Sequence, residues 1–323
     1  MISETSTRAV RDGAHADRVE SVPQDDGRVL LSVVIPVFNE ADTIGTCLDL
    51  LIDQIDDIAE IIVVDNNSTD ATREIVEERT RRTPRIRVVD ESTQGLVHAR
   101  NAGMDSATGD VIARIDADTR IPAGWARTIV EFFEADSQGQ WSALCGRGAA
   151  YGLPFEGSMS RIARLLRPVA RRLRRERASA QESSEPREIP VLYGSNMVVR
   201  REVWQVIRTR VSMRRDIFED VDMGLCVQDI NGRNAFLASL TVGVSPRRME
   251  TGVSAFAEYM SFLPRTLLLH RRYGLAAGAA FGYLPPVIIV HAARLVLIRA
   301  YDADAGTFSV RNLPRSTTER GLP

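Results

Sequence analysis

The strongest constraint on this chain is a repeated exchange between short apolar runs and amphipathic helical stretches. Leu31-Ser32-Val33-Val34-Ile35-Pro36-Val37 is rich in β-branched residues and apolar at all but one position. It therefore reads as a strand buried on both faces, with Pro36 near its end, where a missing amide donor is tolerated. Ile44, Leu48, Leu51 and Ile55 then recur at helical spacing. Ile61 to Asp65 is a second buried strand. Ser68, Thr69 and Asp70 are good helix caps, and a helix is expected through Ile75 and Arg79. Ile86 to Val89 and Val111 to Asp116 read as further strands, separated by a helix over 96–107 and succeeded by another from Trp125 to Phe133. Short strands alternating with helices in this way imply βαβ units and an α/β domain with a mainly parallel sheet.

In open parallel sheets, ligands bind beyond the carboxyl ends of the strands. The residues at each strand exit are therefore informative. Phe38-Asn39-Glu40 comes after the first strand, Asp65-Asn66-Asn67 closes the second, and Asp116-Ala117-Asp118 closes the fourth. Three polar clusters are expected to converge on one sheet edge. The second half is less regular. Ile189 to Val199 reads as strand or extended chain, Arg201 to Arg208 as helix, Phe218 to Ile230 as a helix opening on carboxylates, and Ala235 to Val242 as a last strand.

Composition narrows the class. The 323 residues carry a net charge of −2, so bulk electrostatics gives no sign of nucleic-acid binding. Every one of the 41 basic residues is Arg. Cys47, Cys145 and Cys226 are far apart in sequence and form no Cys-x-x-Cys pair, so they read as buried thiols in a reducing compartment. Met1 to Arg28 is polar with both charge signs and reads as a disordered leader, not a signal peptide.

Asp116 and Asp118 are alternate carboxylates at a strand exit. As the chain turns, both can approach one divalent cation, and Mg²⁺ and Mn²⁺ prefer such hard oxygen donors. The same residues would also serve as turn and N-cap carboxylates ahead of a helix near Pro122. Asp65 can accept the imide N–H of uracil or the N–H groups of guanine, or satisfy local backbone donors. Arg100 lies in Gly95-Leu-Val-His-Ala-Arg-Asn-Ala-Gly103, on a helix from which it could reach a diphosphate. Glu219 and Asp220 start a helix, where the anionic carboxylate is stabilised. With an ordinary pKa of about 3.9, such an Asp would be a weak base, accepting a proton only late in a reaction.

Together these clusters resemble family 2 glycosyltransferases. The resemblance rests on five motifs in order: Val33-Val-Ile-Pro-Val-Phe-Asn-Glu40, Val63-Val-Asp-Asn-Asn-Ser-Thr-Asp70, Ala99-Arg-Asn-Ala-Gly103, Ile115-Asp-Ala-Asp118 and Phe218-Glu-Asp-Val-Asp-Met223. It covers roughly residues 30–245. It implies the GT-A fold, a Rossmann-like sheet flanked by helices, and transfer of a sugar from a nucleotide diphosphate (a UDP- or GDP-sugar) to an acceptor hydroxyl with inversion. It also implies a divalent metal, Mn²⁺ or Mg²⁺. Pro36, Phe38 and Glu40 would line the nucleotide, Asp65 bind the base, and Arg100 lie near the donor. Asp116 and Asp118 would hold metal and diphosphate, Asp118 as the direct ligand. Asp220 would be the general base, with Glu219 beside it. Tyr193-Gly194-Ser195-Asn196 resembles the segment before the base, with Gly194 and Asn196 as donor-site contacts. One departure is visible. Many GT-A enzymes supply a later His to the metal, but here Ser245-Pro246-Arg247-Arg248 comes after the last strand. Extra waters on the metal, or Arg247 and Arg248 on the diphosphate, would compensate.

Two further regions bear on location. Arg161 to Arg177 reads as a basic amphipathic helix within an insertion over about 158–188, suited either to solvent or to an anionic membrane surface. Gly274 to Ala293 lacks Asp, Glu and Arg but contains Pro285-Pro286. It reads as a re-entrant or interfacial hairpin, or a buried helix pair, within a helical region over 251–323. The expected location is cytoplasmic, peripheral on the inner membrane face, with a glycan or lipid-linked acceptor. Two alternatives share the carboxylates: a haloacid-dehalogenase-like phosphatase using Asp116 and Asp118, and an inactive nucleotide-binding module.

Overall fold

A computed structural model describes residues 27–151, 185–245, 251–302 and 307–308. Its centre is an eight-stranded sheet. The strands are β1 (Leu31–Val37), β2 (Glu60–Asp65), β3 (Ile86–Asp90), β4 (Val111–Arg114), β5 (Ala143–Ala150), β6 (Arg187–Ile189), β7 (Met197–Arg200) and β8 (Asn234–Val244). They lie in the order β3-β2-β1-β4-β7-β5-β8-β6. The first four strands pair in parallel, as do β5 and β8. β7 runs antiparallel between β4 and β5, and β6 runs antiparallel along the edge.

The period-2 pleat sorts β1 and β2 onto two cores. Val33, Ile35, Val37, Ile61 and Val63 face a cluster with helices α1 (Ile44–Ile52), α2 (Thr72–Arg82) and α4 (Trp125–Ala135). Val34, Ile62 and Val64 face the opposite cluster, which takes in α3 (Leu96–Ser106), α5 (Arg201–Ile207) and α6 (Glu219–Asp229). Burial on both faces explains why these strands are continuous apolar runs and do not alternate. Each fully buried Val or Ile side chain contributes about 1.5–3 kcal/mol.

Sequence and structure differ at several points of the sheet. The strand expected over 111–116 stops at Arg114, because Asp116 enters a turn in which its amide donates to Thr119 Oγ1 and its carbonyl accepts from the Thr119 amide. β5 escaped notice, since Gly146 and Gly148 interrupt its apolar run. Of the single extended segment expected over 189–199, only Ile189 (in β6) and Met197–Val199 (in β7) are strand, with irregular chain and a tight turn at Gly194–Asn196 between them.

The C-terminal region is helical: α7 (Val253–Met260), α8 (Phe262–Leu269), α9 (Tyr273–Ala277), a π-helical turn (Gly278–Tyr283) and α10 (Leu284–Ala300). From Tyr273 the chain is one continuous helix, which corrects the expected hairpin or buried pair. Pro285 and Pro286 fall in the first turn after the π segment. Immediately before them, the Leu284 amide pairs with the Ala279 carbonyl in the π-helical pattern. Of the leader expected over 1–28, residues 1–26 lie outside the described residues, as do the basic stretch 161–177 and Arg247 and Arg248, while Arg28 is described and pairs with Asp57.

Close helix–sheet approach is fixed at Gly103. A Cβ there would sit 2.4 Å from Val34 Cγ1 and 2.8 Å from Val64 Cγ2. Gly103→Ala gains about 1 kcal/mol of helix propensity but overpacks two fully buried valines, at a cost of about 1–3 kcal/mol. Urea unfolding should show a net loss of stability. A variant as stable as the parent would mean that α3 does not lie this close to the sheet.

Candidate active site

The loops after β1 and β2 are laced together at the carboxyl edge. The Asn39 amide donates to Ser68 Oγ, and Asn39 Oδ1 accepts from the Thr69 amide at 2.8 Å. Asn39 takes φ 54° to do so, a left-handed conformation that Asn tolerates well. The Glu40 amide donates to Thr72 Oγ1 at 2.8 Å, and Glu40 Oε2 accepts from Thr43 Oγ1. Asn66 extends the lacing to the third loop: its Nδ2 donates to the carbonyls of Glu91 and Thr93, and its Oδ1 accepts from the Gly95 amide. Asp65 lies at the floor of this wall, 7% exposed. Its Oδ1 accepts from the Ser68 amide at 3.0 Å, and its Oδ2 is 3.6 Å from Arg73 Nη1. Phe38 is 46% exposed at the rim.

At the end of β4, Arg114 is 2% exposed. Its Nη2 lies 2.7 Å from Asp116 Oδ1 and 3.7 Å from Glu219 Oε1, while its Nε is buried with no partner. Thus one guanidinium joins the strand-exit carboxylate to the start of α6, more than a hundred positions further along. Asp118 comes next on the turn, its carbonyl accepting from Tyr151 Oη at 2.8 Å. Cys47 lies behind the same turn, its Sγ 3.9 Å from the Asp116 carbonyl. Burial first, then the charges of Asp118 and Asp116, push its thiol well above the ordinary range.

Asp220 completes the site. Its Oδ2 accepts from the Gly194 amide at 2.7 Å and its Oδ1 from the Val221 amide at 2.8 Å. Gly194 has no room for a side chain: a Cβ would stand 2.6 Å from Arg114 Nη1 and 3.3 Å from Asp220 Oδ2. Burial, and then the adjacent Glu219 carboxylate, raise the Asp220 carboxyl to about 6, against the opposing pull of the two amides and Arg114. This corrects the expectation of a helix-start Asp of ordinary acidity. Desolvation outweighs the helix terminus, because removing a carboxylate from water costs more than two backbone donors return.

The structure brings Asp116, Glu219, Asp220 and Gly194 together around Arg114, with Asp118 on the adjoining turn. Phe38 and Glu40 lie in the loop after β1 and Asp65 ends β2 at the same edge, while Pro36 is buried within β1. Two assignments change. Asn196 is fully buried, with Oδ1 accepting from Trp125 Nε1 and Nδ2 donating to the Leu240 carbonyl, so its amide is consumed in the core and is not a donor-site contact. Arg100 is also fully buried. It donates to the Glu219 carbonyl at 3.1 Å and to Asn101 Oδ1, so its guanidinium is turned to the start of α6 and to its own neighbour. Sequence reasoning missed Arg114. The signal was a lone Arg inside an otherwise apolar strand, which is costly unless the charge is paired.

The family model described as glycosyl transferase family 2 matches residues 32–208, over half of the chain. The chain is 37% identical over 91 residues to the uncharacterized glycosyltransferase YibD of Escherichia coli (strain K12), a match covering 28% of this chain and 26% of that protein. It is 40% identical over 88 residues to the putative glycosyltransferase EpsH of Bacillus subtilis (strain 168), covering 27% and 26%. The matched segment thus spans about a quarter of the length of these relatives. Among solved structures, the mannosyltransferase PcManGT from Pyrobaculum calidifontis, in complex with GDP-Man and Mn²⁺, superposes with TM-score 0.56 at 19% identity, covering 88% of this chain and 77% of that one. S. aureus TarS 1–349 in complex with UDP-GlcNAc superposes with TM-score 0.53 at 16% identity, covering 84% and 80%. These likenesses show the GT-A fold, and with the family match over more than half of its length the chain belongs to glycosyl transferase family 2.

Proposed function

We propose that the chain transfers a sugar from a UDP- or GDP-sugar to an acceptor hydroxyl, with inversion, using Asp220 as general base. The observation that carries this reading is the Arg114 bridge, which sets the Asp116–Asp118 turn and the Glu219–Asp220 pair in one site. Asp65 and the loops around Phe38 and Glu40 would hold the base and ribose. Asp118, with Asp116 behind it, fits a hard divalent cation, since two carboxylates two residues apart on one turn offer the oxygen donors that Mn²⁺ or Mg²⁺ takes. When bound, that ion neutralises charge on the departing diphosphate. Asp220 takes the acceptor's hydroxyl proton as the acceptor oxygen bonds to the anomeric carbon. The carbon–oxygen bond to the diphosphate breaks, and its electron pair leaves on the diphosphate. Attack opposite to the leaving group inverts the centre. The phosphatase alternative is not favoured, because the matching family and the neighbouring folds are those of glycosyltransferases.

The acceptor is proposed to be lipid-linked and the enzyme to work on the cytoplasmic face of a membrane. The helix Tyr273–Val296 is long and apolar enough to cross a bilayer by length and composition, and only 17% of its most apolar stretch is buried. Phe281, Ile289 and Val290 on this helix are 84%, 68% and 66% exposed.

The base must be ionised to accept a proton, so kcat/KM should rise about tenfold per pH unit below 6 and level off above it. Asp220→Asn should lower kcat about 10²–10⁴-fold with little change in donor affinity. Near-parental turnover in that variant would remove Asp220 from the chemistry, a product retaining the donor's anomeric configuration by NMR would overturn single displacement, and nucleotide binding with no donor turnover by the parent would favour the inactive-module alternative. Asp118→Ala should abolish the gain in UDP or GDP affinity that Mn²⁺ confers in calorimetric titration; an undiminished gain would place the metal elsewhere. Finally, the full chain should float with phosphatidylglycerol-rich vesicles at low salt, and Phe281→Glu combined with Ile289→Glu should stay at the bottom of the gradient. Absence of flotation by the parent would end the membrane proposal.

A further inference from the structure

A second set of donor atoms converges on a different flank of α6. Asp222 and Cys226 are four residues apart and so share one helix face; both are buried. His270, directly after α8, reaches them from the C-terminal helices, with Nε2 2.8 Å from Asp222 Oδ1. An Asp222 oxygen, Cys226 Sγ and a His270 ring nitrogen all lie within 4.8 Å of one another. The set has an outer layer as well. His270 Nδ1 is 3.0 Å from Asp229 Oδ2, and the other Asp229 oxygen accepts from Arg272 at 3.1 Å. The Ser212 amide donates to Asp222 Oδ2 at 2.8 Å, which fixes that carboxylate with Oδ1 toward the histidine.

We propose that Asp222, Cys226 and His270 bind a divalent cation of the zinc class, with Asp229 orienting the histidine, and that the ion clamps the C-terminal helices onto α6. The donor types decide the class of ion. One thiolate, one imidazole and one carboxylate form a mixed set that suits Zn²⁺, whereas the oxygen-only turn at Asp116 and Asp118 suits Mn²⁺ or Mg²⁺. In a tetrahedral zinc site, ligand atoms about 2.0–2.3 Å from the metal stand roughly 3.3–3.8 Å apart, a small adjustment from the spacing seen here. The Asp229–His270 contact is the carboxylate–histidine pairing that holds Nδ1–H and directs Nε2 at Asp222, where a metal would take the place of the proton the two now share. A cavity of about 370 Å³ adjoins the three ligands and is also lined by Arg210 and Ser212, leaving space for water at the fourth position. Loading releases the Cys226 thiol proton, and any proton on His270 Nε2, to solvent. A histidine merely held between two carboxylates would need neither the thiol one helical turn along nor the cavity.

The clamp has a structural target. Val221 and Leu225 of α6 pack with Leu267, Ala276 and Ala279 of the C-terminal helices, and the Phe218 amide donates to Thr266 Oγ1 at 2.9 Å. Asp222 lies two residues beyond Asp220, so a cation fixing α8 to α6 also fixes the start of the helix that carries the proposed base.

The test uses the full chain, stripped with a chelator and titrated with Co²⁺. One equivalent should produce a near-ultraviolet thiolate-to-cobalt charge-transfer band, which Zn²⁺ then abolishes. The band should vanish in Cys226→Ser and persist in Cys47→Ser and Asp118→Ala, which separates this site from the Asp116–Asp118 turn. Asp229→Asn should weaken zinc affinity about 10–100-fold, the usual effect of removing such an orienting carboxylate. Should Cys226→Ser fail to fold, His270→Gln provides the second arm: bound zinc, measured by elemental analysis, falls by one equivalent, and the zinc-dependent rise in melting temperature disappears. Absence of a band in the parent, or a band that survives Cys226→Ser, overturns the proposal.

Discussion

The guanidinium of Arg114 is the point on which the site depends. Burying a charge costs several kcal/mol unless it is paired, and Arg114 is almost wholly enclosed at the end of β4. It is compensated by Asp116 on the adjoining turn and by Glu219 at the start of α6. The requirement works in both directions: the two carboxylates are held by the charge they neutralise. Gly194 completes the arrangement, because a side chain there would collide with the guanidinium and separate Asp220 from its amide donor. A glycine, a buried cation and three carboxylates from distant parts of the chain thus determine one another's positions.

The same crowding sets the acidity of the site. Asp220 receives two backbone N–H groups, which in water-exposed surroundings would keep it strongly acidic. Burial and the neighbouring Glu219 outweigh them and raise it to about 6, a value suited to a base that must be mostly ionised near neutrality yet still accept a proton. That balance depends on what covers α6. Phe218 packs edge-on against Tyr259 and Phe262 of the C-terminal helices, with ring centroids 4.8 and 5.9 Å away. The helices beyond the family-matched segment therefore contribute to the environment of the proposed base.

Much of the architecture was legible in the sequence. β1, β2 and β3, with the helices between them, are local events. An apolar β-branched run buried on both faces, or an apolar stripe at helical spacing, declares itself within about ten residues. The carboxyl-edge clusters at Phe38, Asp65 and Asp116 came from the parallel topology. Weakly patterned elements escaped. β5 is broken by glycines, and β6 is a three-residue edge strand. The Pro285-Pro286 pair suggested a break where the helix continues, directly after a π-helical turn at Gly278–Tyr283.

By itself, the sequence determined the α/β class, the order of the parallel strands' polar exits, and the presence of carboxylates suited to a metal and to a base, since these depend on residue type and local period. Tertiary structure alone decided what each polar residue does. Arg100 and Asn196 have the residue types of ligand contacts, yet both are fully enclosed and spent on internal partners. Arg114 resembles an interruption in a strand, yet it links the two halves of the site. The convergence of His270 on Asp222 and Cys226 joins residues far apart in the chain, through the docking of one helix layer on another. The reason is common to all of these. Burial and charge pairing depend on which distant groups the fold brings within a few ångströms, and no local pattern in the chain encodes that distance.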